Sequence, residues 1–248
     1  MSVVEFSNVS LSMPRTKRRQ GSGRKHRLLR IAGETSRSMI PVLENVSFTI
    51  NRGDSVAIVS GKPLLRTSLT RLAAGTLIAD SGSVARSEPV VAMIGIARAM
   101  GASFTLRQNA YLVGGLMGMT PAELTEKLPG IIKFADLGNY LDRHLRVAPS
   151  SARQRLAWSL AMAVDAQVYA IDGTLVVGEL EFRQKCWTAV DSLRENGATF
   201  MISSDGGKQY RRFCDRGLYF DQGALIADTT VSQALALARK TRREPRGE

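Results

Sequence analysis

The chain has 248 residues, 44% of them apolar, enough for one sizeable α/β domain with a full core. No window approaches the roughly 18 uninterrupted apolar residues of a membrane-spanning helix. The opening MSVVEFSNVSLSM lacks the basic-then-apolar layout of a secretory signal. Two cysteines, Cys186 and Cys214, are too few for a disulfide framework or a metal cluster, and read as small core residues in a reducing cytoplasm. The net charge of +12 is unevenly placed: residues 15–37 hold nine Lys/Arg against one Glu, residues 239–248 hold five against two, and the remainder carries only +1. A broad nucleic-acid-binding face on the folded body is therefore not expected.

In chain order, residues 3–9 alternate apolar and polar positions, the period of a half-buried strand. The segment PRTKRRQGSGRKHRLLRIAGETSRS breaks that period and reads as a flexible basic insertion. Residues 42–50 resume a strand, Asn51-Arg52-Gly53-Asp54 supplies turn chemistry, and residues 55–59 form a short buried strand. A helix follows with Leu65, Leu69 and Leu72 on one face and Gly75 as its stop. Residues 83–100 are apolar and short-stranded, punctuated by Gly82 and Glu88-Pro89. Thr120-Pro121-Ala122-Glu123 is a capping box with proline at the first helical position, opening a helix-rich stretch to Arg146. Ser150 suits the N-cap of an amphipathic helix. Residues 168–172 form a buried strand ending in Asp172, at the strand end where open α/β sheets bind ligands. A helix over 181–196 stopped by Gly197, a core strand at 198–202, a hairpin turned by Asp221-Gln222-Gly223 and a helix from Thr230 into the basic tail complete the chain.

Within VYAIDGTLVVGELEFRQKC, Ile171, Asp172, Val177, Gly178, Phe182, Lys185 and Cys186 fall in register with a pattern apolar-Ile-Asp-Glu-x-x-Ala-Val-Gly-Asp-x-x-Phe-x-x-Lys-Cys. The stretch resembles the Walker B segment and D-loop of ABC transporter ATPases, and most closely the branch that exports capsular polysaccharide and O-antigen. Three other stretches agree. Arg107 and Asn109 match the branch's Thr-x-Arg-Glu-Asn helix start, and Ser150 with Arg155-Leu156-Ala157 matches its signature Ser-Ser-Gly-x-x-x-Arg-Leu-Ala. Ser203, Asp205, Cys214, Asp215 and Arg216 match its Ser-His-Asp…Cys-Asp-Arg. The likeness covers residues 3–14 and 42–238. It implies an α/β, ABC-type P-loop NTPase domain over residues 1–238, with a mixed β-sheet core and a helical subdomain at about 102–165, followed by the tail at 239–248.

The resemblance also locates the chemistry, and there this chain departs from it. Residues 60–68 take the place of Gly-x-x-Gly-x-Gly-Lys-Ser-Thr, whose glycines let backbone N–H groups turn inward on phosphate. Ser60, Pro63 and Leu65 replace those glycines, Arg66 replaces the lysine, and Thr67-Ser68 keeps the hydroxyls; the visible Gly61-Lys62 pair is followed by a proline without an N–H. Ser151 replaces a signature glycine, Gly101 stands at the loop glutamine, Glu179 at the D-loop aspartate, and Met13 where an aromatic would stack on adenine. Gly173 occupies the general-base position and Ser204 the switch-histidine position, with His26 and His144 elsewhere. Nucleotide contacts are expected from Ser60, Gly61, Lys62, Arg66, Thr67, Ser68, Ser150 and Ser151, and magnesium contacts from Thr67 and Asp172. With the catalytic groups replaced, ATP and magnesium are expected to bind weakly or not at all.

The leading expectation is a degenerate nucleotide-binding subunit of a polysaccharide exporter. Its implied partners are a membrane permease, and either itself or a competent ATPase paralogue as a dimer. It would sit peripherally on the cytoplasmic face of the inner membrane, with the segment from Arg15 to Arg37 touching anionic lipid. Two alternatives stay open: an active ATPase energising polysaccharide export, and a basic-arm adaptor that binds nucleic acid.

Overall fold

The computed structural model describes residues 1–15, 38–173, 177–204 and 207–243. The basic insertion after Arg15 (with His26), Asp205 and the last five residues of the tail lie outside the described residues.

Two sheets form the frame. β1 (Ser2–Pro14), β2 (Met39–Asn51) and β4 (Ser81–Arg86) make an antiparallel sheet in the order β2-β1-β4. The second sheet has six strands in the order β5-β6-β7-β3-β8-β9: β5 (Val90–Ile94), β6 (Val168–Asp172), β7 (Thr199–Ser203), β3 (Ser55–Val59), β8 (Arg216–Asp221) and β9 (Ala224–Thr230). Its first five strands pair in parallel and β9 returns antiparallel to β8, so the sheet is mixed.

The central strands are short apolar runs because both faces are covered. Along β3, Val56 and Ile58 enter one core while Ala57 and Val59 enter the other. β6 divides its side chains likewise: Val168 and Ala170 join β1, β2 and α1 (Pro63–Ala73), whereas Tyr169 and Ile171 face α5 (Leu180–Glu195), α6 (Gly207–Phe213) and α7 (Val231–Arg243). The expected Leu65, Leu69 and Leu72 stripe is the buried face of α1. Met13 packs against the same core.

A third apolar cluster holds α2 (Leu106–Leu116), α3 (Pro121–Ala135) and α4 (Ala152–Ala163) together. The capping box at the start of α3 is present, with Thr120 accepting from the Glu123 N–H and Glu123 from the Thr120 N–H. α4 departs from the amphipathic expectation. Leu156 and Leu160 face the helical cluster while Trp158 and Ala161 face the sheet core, so the helix is buried around most of its circumference. At the other end of the chain, α7 runs to Arg243, so Arg239 and Lys240 belong to a helix packed on β8.

Candidate functional site

The turn between β3 and α1 stands at the carboxyl end of the parallel sheet, and its own atoms use much of its hydrogen-bonding capacity. Pro63 is the first helical residue of α1 and brings no N–H. Lys62, the N-cap, is extended at φ −103°, ψ 107° and makes no side-chain cap. Its N–H is taken by the Ser60 hydroxyl at 3.2 Å. Arg66 is only 6% exposed, and its guanidinium turns back so that Nη1 donates to the Ser60 carbonyl at 2.6 Å. Gly61 and Lys62, by contrast, are exposed. Ser68 is buried to 1% exposure in the helix and does not reach the turn's surface.

Asp172 collects the opposite wall. Its Oδ2 accepts from the Thr67 hydroxyl at 2.6 Å and its Oδ1 from the Ser203 hydroxyl at 2.9 Å. One carboxylate thus ties α1 to the ends of β6 and β7. The structure brings the two expected metal contacts, Thr67 and Asp172, into direct contact with each other. Ser203, known from the sequence only as part of a motif, is the third member of this group. Beside it, a cavity of about 240 Å³ is walled by Met93, Ile96, Ala157, Trp158 and Val177, with Asp172 and Gln154 its polar members. That lining is apolar and anionic.

Gly173 follows with φ 111°, a backbone conformation that side-chain-bearing residues rarely adopt, and its N–H donates to the Ser203 carbonyl at 2.7 Å. Ser204 sits behind it at 8% exposure. Its N–H donates to the Tyr210 hydroxyl at 2.6 Å, and that hydroxyl lies 2.7 Å from the carbonyls of both Ile58 and Ser204, with one proton to give. Tyr210 therefore staples the 204 turn to the end of β3. No motif singled it out, and only a buried tyrosine's need for a polar partner could have hinted at it.

The signature region lies on α4. The helix begins one residue later than the Ser150 cap expected from the sequence: Ser151 is the N-cap, in a helical conformation with no side-chain cap, and Ser150 is exposed. The Ser151 hydroxyl instead lies 3.4 Å from Glu179 and 3.3 Å from Arg155 Nε. Arg155 reaches Glu179 at 3.7 Å, Asp136 at 3.4 Å and the Ala135 carbonyl at 3.2 Å, and covers the Phe182 ring at 5.6 Å. The signature and the residue before α5 are thereby joined through one guanidinium.

Several motif residues prove to be structural. Gly178 has φ 79°, a backbone conformation that side-chain-bearing residues rarely adopt, and a Cβ there would lie 3.1 Å from the Phe182 ring. Cys186 and Cys214 are buried, and burial pushes their thiols up to about 11 and about 12. Arg216 forks onto Asp228 at 2.7 and 2.6 Å and reaches Asp54 at 2.9 Å, closing the β8–β9 hairpin against the β2–β3 turn; both carboxylates hold its pKa above the usual arginine value. Asn109, fully buried, accepts from the Gly101 N–H at 2.9 Å and donates to the Gly101 carbonyl at 3.0 Å. The loop that carries Gly101 is thus fixed by a side chain. Arg107 pairs in fork fashion with Asp142.

Among the described residues no group of three or more His, Cys, Asp or Glu gathers, and no helix is long and apolar enough to cross a membrane. No protein-family profile matches the chain. It is 28% identical over 184 residues to the ABC transporter protein AbcA of Aeromonas salmonicida, covering 74% of this chain and 60% of that protein. It is 28% identical over 183 residues to the O-antigen export system ATP-binding protein RfbB of Klebsiella pneumoniae, covering 74% of each. The match thus spans less than two thirds of AbcA. Among solved structures, a dimeric ATP-binding cassette in a post-hydrolysis state bound to ADP and Pi superposes with a TM-score of 0.69 at 16% identity, covering 92% of this chain and 98% of that one.

Proposed function

We propose, from the ABC-type ATPase fold that the chain has, that it serves as a nucleotide-binding-type subunit of a polysaccharide exporter and does not hydrolyse ATP by itself. The exporter assignment is supported by similarity to an O-antigen export ATP-binding protein and by the branch-specific Val177-Gly178 and Phe182-x-x-Lys185-Cys186 elements. The observation that carries the loss of hydrolysis is Arg66. The cation at the position of the phosphate-binding lysine is folded onto its own loop, with Nη1 on the Ser60 carbonyl. Around it, the residues present do not fit a magnesium triphosphate. Pro63 offers no amide, the Lys62 amide is taken by Ser60, and the cavity beside Asp172 has an apolar wall and a negative charge.

Catalysis by this fold needs a carboxylate or equivalent to orient water and cations to stabilise developing charge on the transferred phosphoryl. Gly173 has no side chain to orient water, and the Ser204 hydroxyl donates to Gln209 Oε1 at 3.3 Å. What this chain's residues do instead is hold position: Asp172 binds α1 to two strands, and Arg155 binds the start of α4 to Glu179. Such a chain contributes surface and geometry to an assembly. Its proposed place is peripheral, on the cytoplasmic face of the inner membrane, beside a permease and paired with a competent paralogue or a second copy. Residues 15–37 are the proposed contact with anionic lipid. Calorimetric titration with magnesium-ATP tests the site: the expected result is no binding at micromolar concentrations, and tight magnesium-dependent binding would overturn the reading.

A further inference from the structure

A larger cavity, of about 390 Å³, lies toward the opposite end of β6 from Asp172. It is bounded by the residues before β5, the link from α4 to β6 and the last turn of α5. Met162, Val164 and Leu193 give it apolar walls, and Glu88, Asp165 and Gln167 give it polar ones. Tyr169 also lines it, at 1% exposure, with its ring stacked on Phe200 at 5.1 Å between centroids. Among the described residues the Tyr169 hydroxyl has no hydrogen-bonding partner. A buried tyrosine hydroxyl ordinarily finds one, as those of Tyr210 and Tyr219 do here. Burial, and after it the charge of Asp165, raise the Tyr169 pKa, so the hydroxyl keeps its proton within the field of that carboxylate. Each carboxylate has one oxygen engaged: Arg52 takes Oε1 of Glu88, and Lys127 takes Oδ2 of Asp165 at 2.6 Å. Glu88 Oε2 and Asp165 Oδ1 remain available. No lysine, arginine or histidine is among the described residues lining the cavity.

We propose that this cavity binds a small aliphatic amine, with its ammonium held by Glu88, Asp165 and the Tyr169 hydroxyl and its hydrocarbon against Met162, Val164 and Leu193. An ammonium carries three donors and no acceptor, and the free carboxylate oxygens and the phenol oxygen are three acceptors. Carboxylates beside low-dielectric walls favour a cation, and hydrogen bonds between charged partners are the stronger kind. The phenol can accept from the ammonium while its own proton goes to a carboxylate. A bare metal ion suits the site less well, because among the described residues no group of three or more ligating side chains gathers. The apolar walls call instead for a cation that carries hydrocarbon, whose burial adds to the attraction. A volume of this size is in the range of small-molecule sites, about 300–1,000 Å³. The site is separate from the nucleotide position, since none of Arg66, Thr67 and Asp172 lines it.

Calorimetric titration of the full chain at pH 7 with pentylamine, 1-pentanol and pentanoate tests it, the three sharing one hydrocarbon body and differing in head group. Saturable binding of the amine is expected, with neither the alcohol nor the carboxylate competing for it. Tyr169→Phe keeps the ring stack and removes only the hydroxyl. It should weaken amine binding about tenfold, the loss of one hydrogen bond to a charged group. Without ligand its thermal midpoint should not fall, because no bond within the fold is lost. Asp165→Asn and Glu88→Gln should each weaken binding by a similar factor, and Asp142→Asn, an exposed acid outside the cavity, should not. Absence of amine binding, or equal binding of 1-pentanol, would overturn the proposal, the second by showing an apolar hole alone. So would full affinity in Tyr169→Phe or in both carboxylate variants, or an equal loss in Asp142→Asn. A fall in the unliganded midpoint of Tyr169→Phe would also count against it, as the sign of a hydroxyl already bonded within the fold.

Discussion

The turn before α1 and the first turn of the helix hold two groups that meet different fates in this chain. On one side, Thr67 donates to Asp172, and Asp172 also accepts from Ser203. On the other, Arg66 folds onto Ser60 where glycines and a lysine would cradle phosphate. The first group does structural work whether or not a ligand is present, since it fastens α1 to the ends of β6 and β7. The second would do its work only toward a phosphate. On the proposed reading, the side that also holds the fold retains the residue types of the family it resembles, and the side whose duty would be chemical does not. A site of this kind separates into scaffold and chemistry, and the two can part company.

That contrast is sharpest under substitution. Asp172→Ala should cause the largest loss, about 2–3 kcal/mol of stability without any nucleotide, because it leaves two buried or half-buried hydroxyls without their shared acceptor; urea unfolding measures it. An unchanged midpoint would mean that the carboxylate is not a structural tie. Asn109→Ala should cost about 1–3 kcal/mol for the same reason, stranding both backbone groups of Gly101. Its effect should appear as faster hydrogen exchange in the 101–105 loop. Gly173→Glu restores the missing carboxylate by name alone. At φ 111° a side chain is strained, so about 1 kcal/mol of stability should be lost with no gain in hydrolysis; robust turnover from this one change would show that the phosphate side still works. Smallest is Ser60→Ala, which removes one half-buried bond to the Lys62 amide and should cost about 0.5–1 kcal/mol, read as a small shift in the thermal midpoint.

Much of the frame was legible in the sequence because it depends on local pattern. The α1 stripe, the Asp172 strand, the capping box of α3 and the hairpin at Gln222 follow from periodicity and turn chemistry, and each stands where those signals put it. Register with a known motif also marks the positions at which the residues differ from that motif. What the sequence could not carry is direction. Nothing in the run of residues says that Arg66 bends back onto Ser60, that Tyr210 closes the 204 turn, or that Arg155 joins Ser151 to Glu179. The Tyr210 and Arg155 contacts bridge elements that meet only in the folded chain, and the Arg66 contact depends on the path of its own turn. The cap at α4 stands one residue beyond the Ser150 expectation, because Ser150 and Ser151 are equivalent to a local rule; Ser151 also meets Arg155 and Glu179, contacts that no local rule carries. The basic character of 239–248 looked like a tail because charge composition is blind to the α7 face packed on β8.

Hydrolysis itself is the most direct test of the account. Purified full-length chain, freed of contaminating ATPases and supplied with millimolar magnesium-ATP, should release phosphate no faster than a buffer control, because Gly173, Arg66 and Ser204 stand where water activation and charge stabilisation would be needed. Turnover on the order of 1 per second, ordinary for an enzyme, would contradict it.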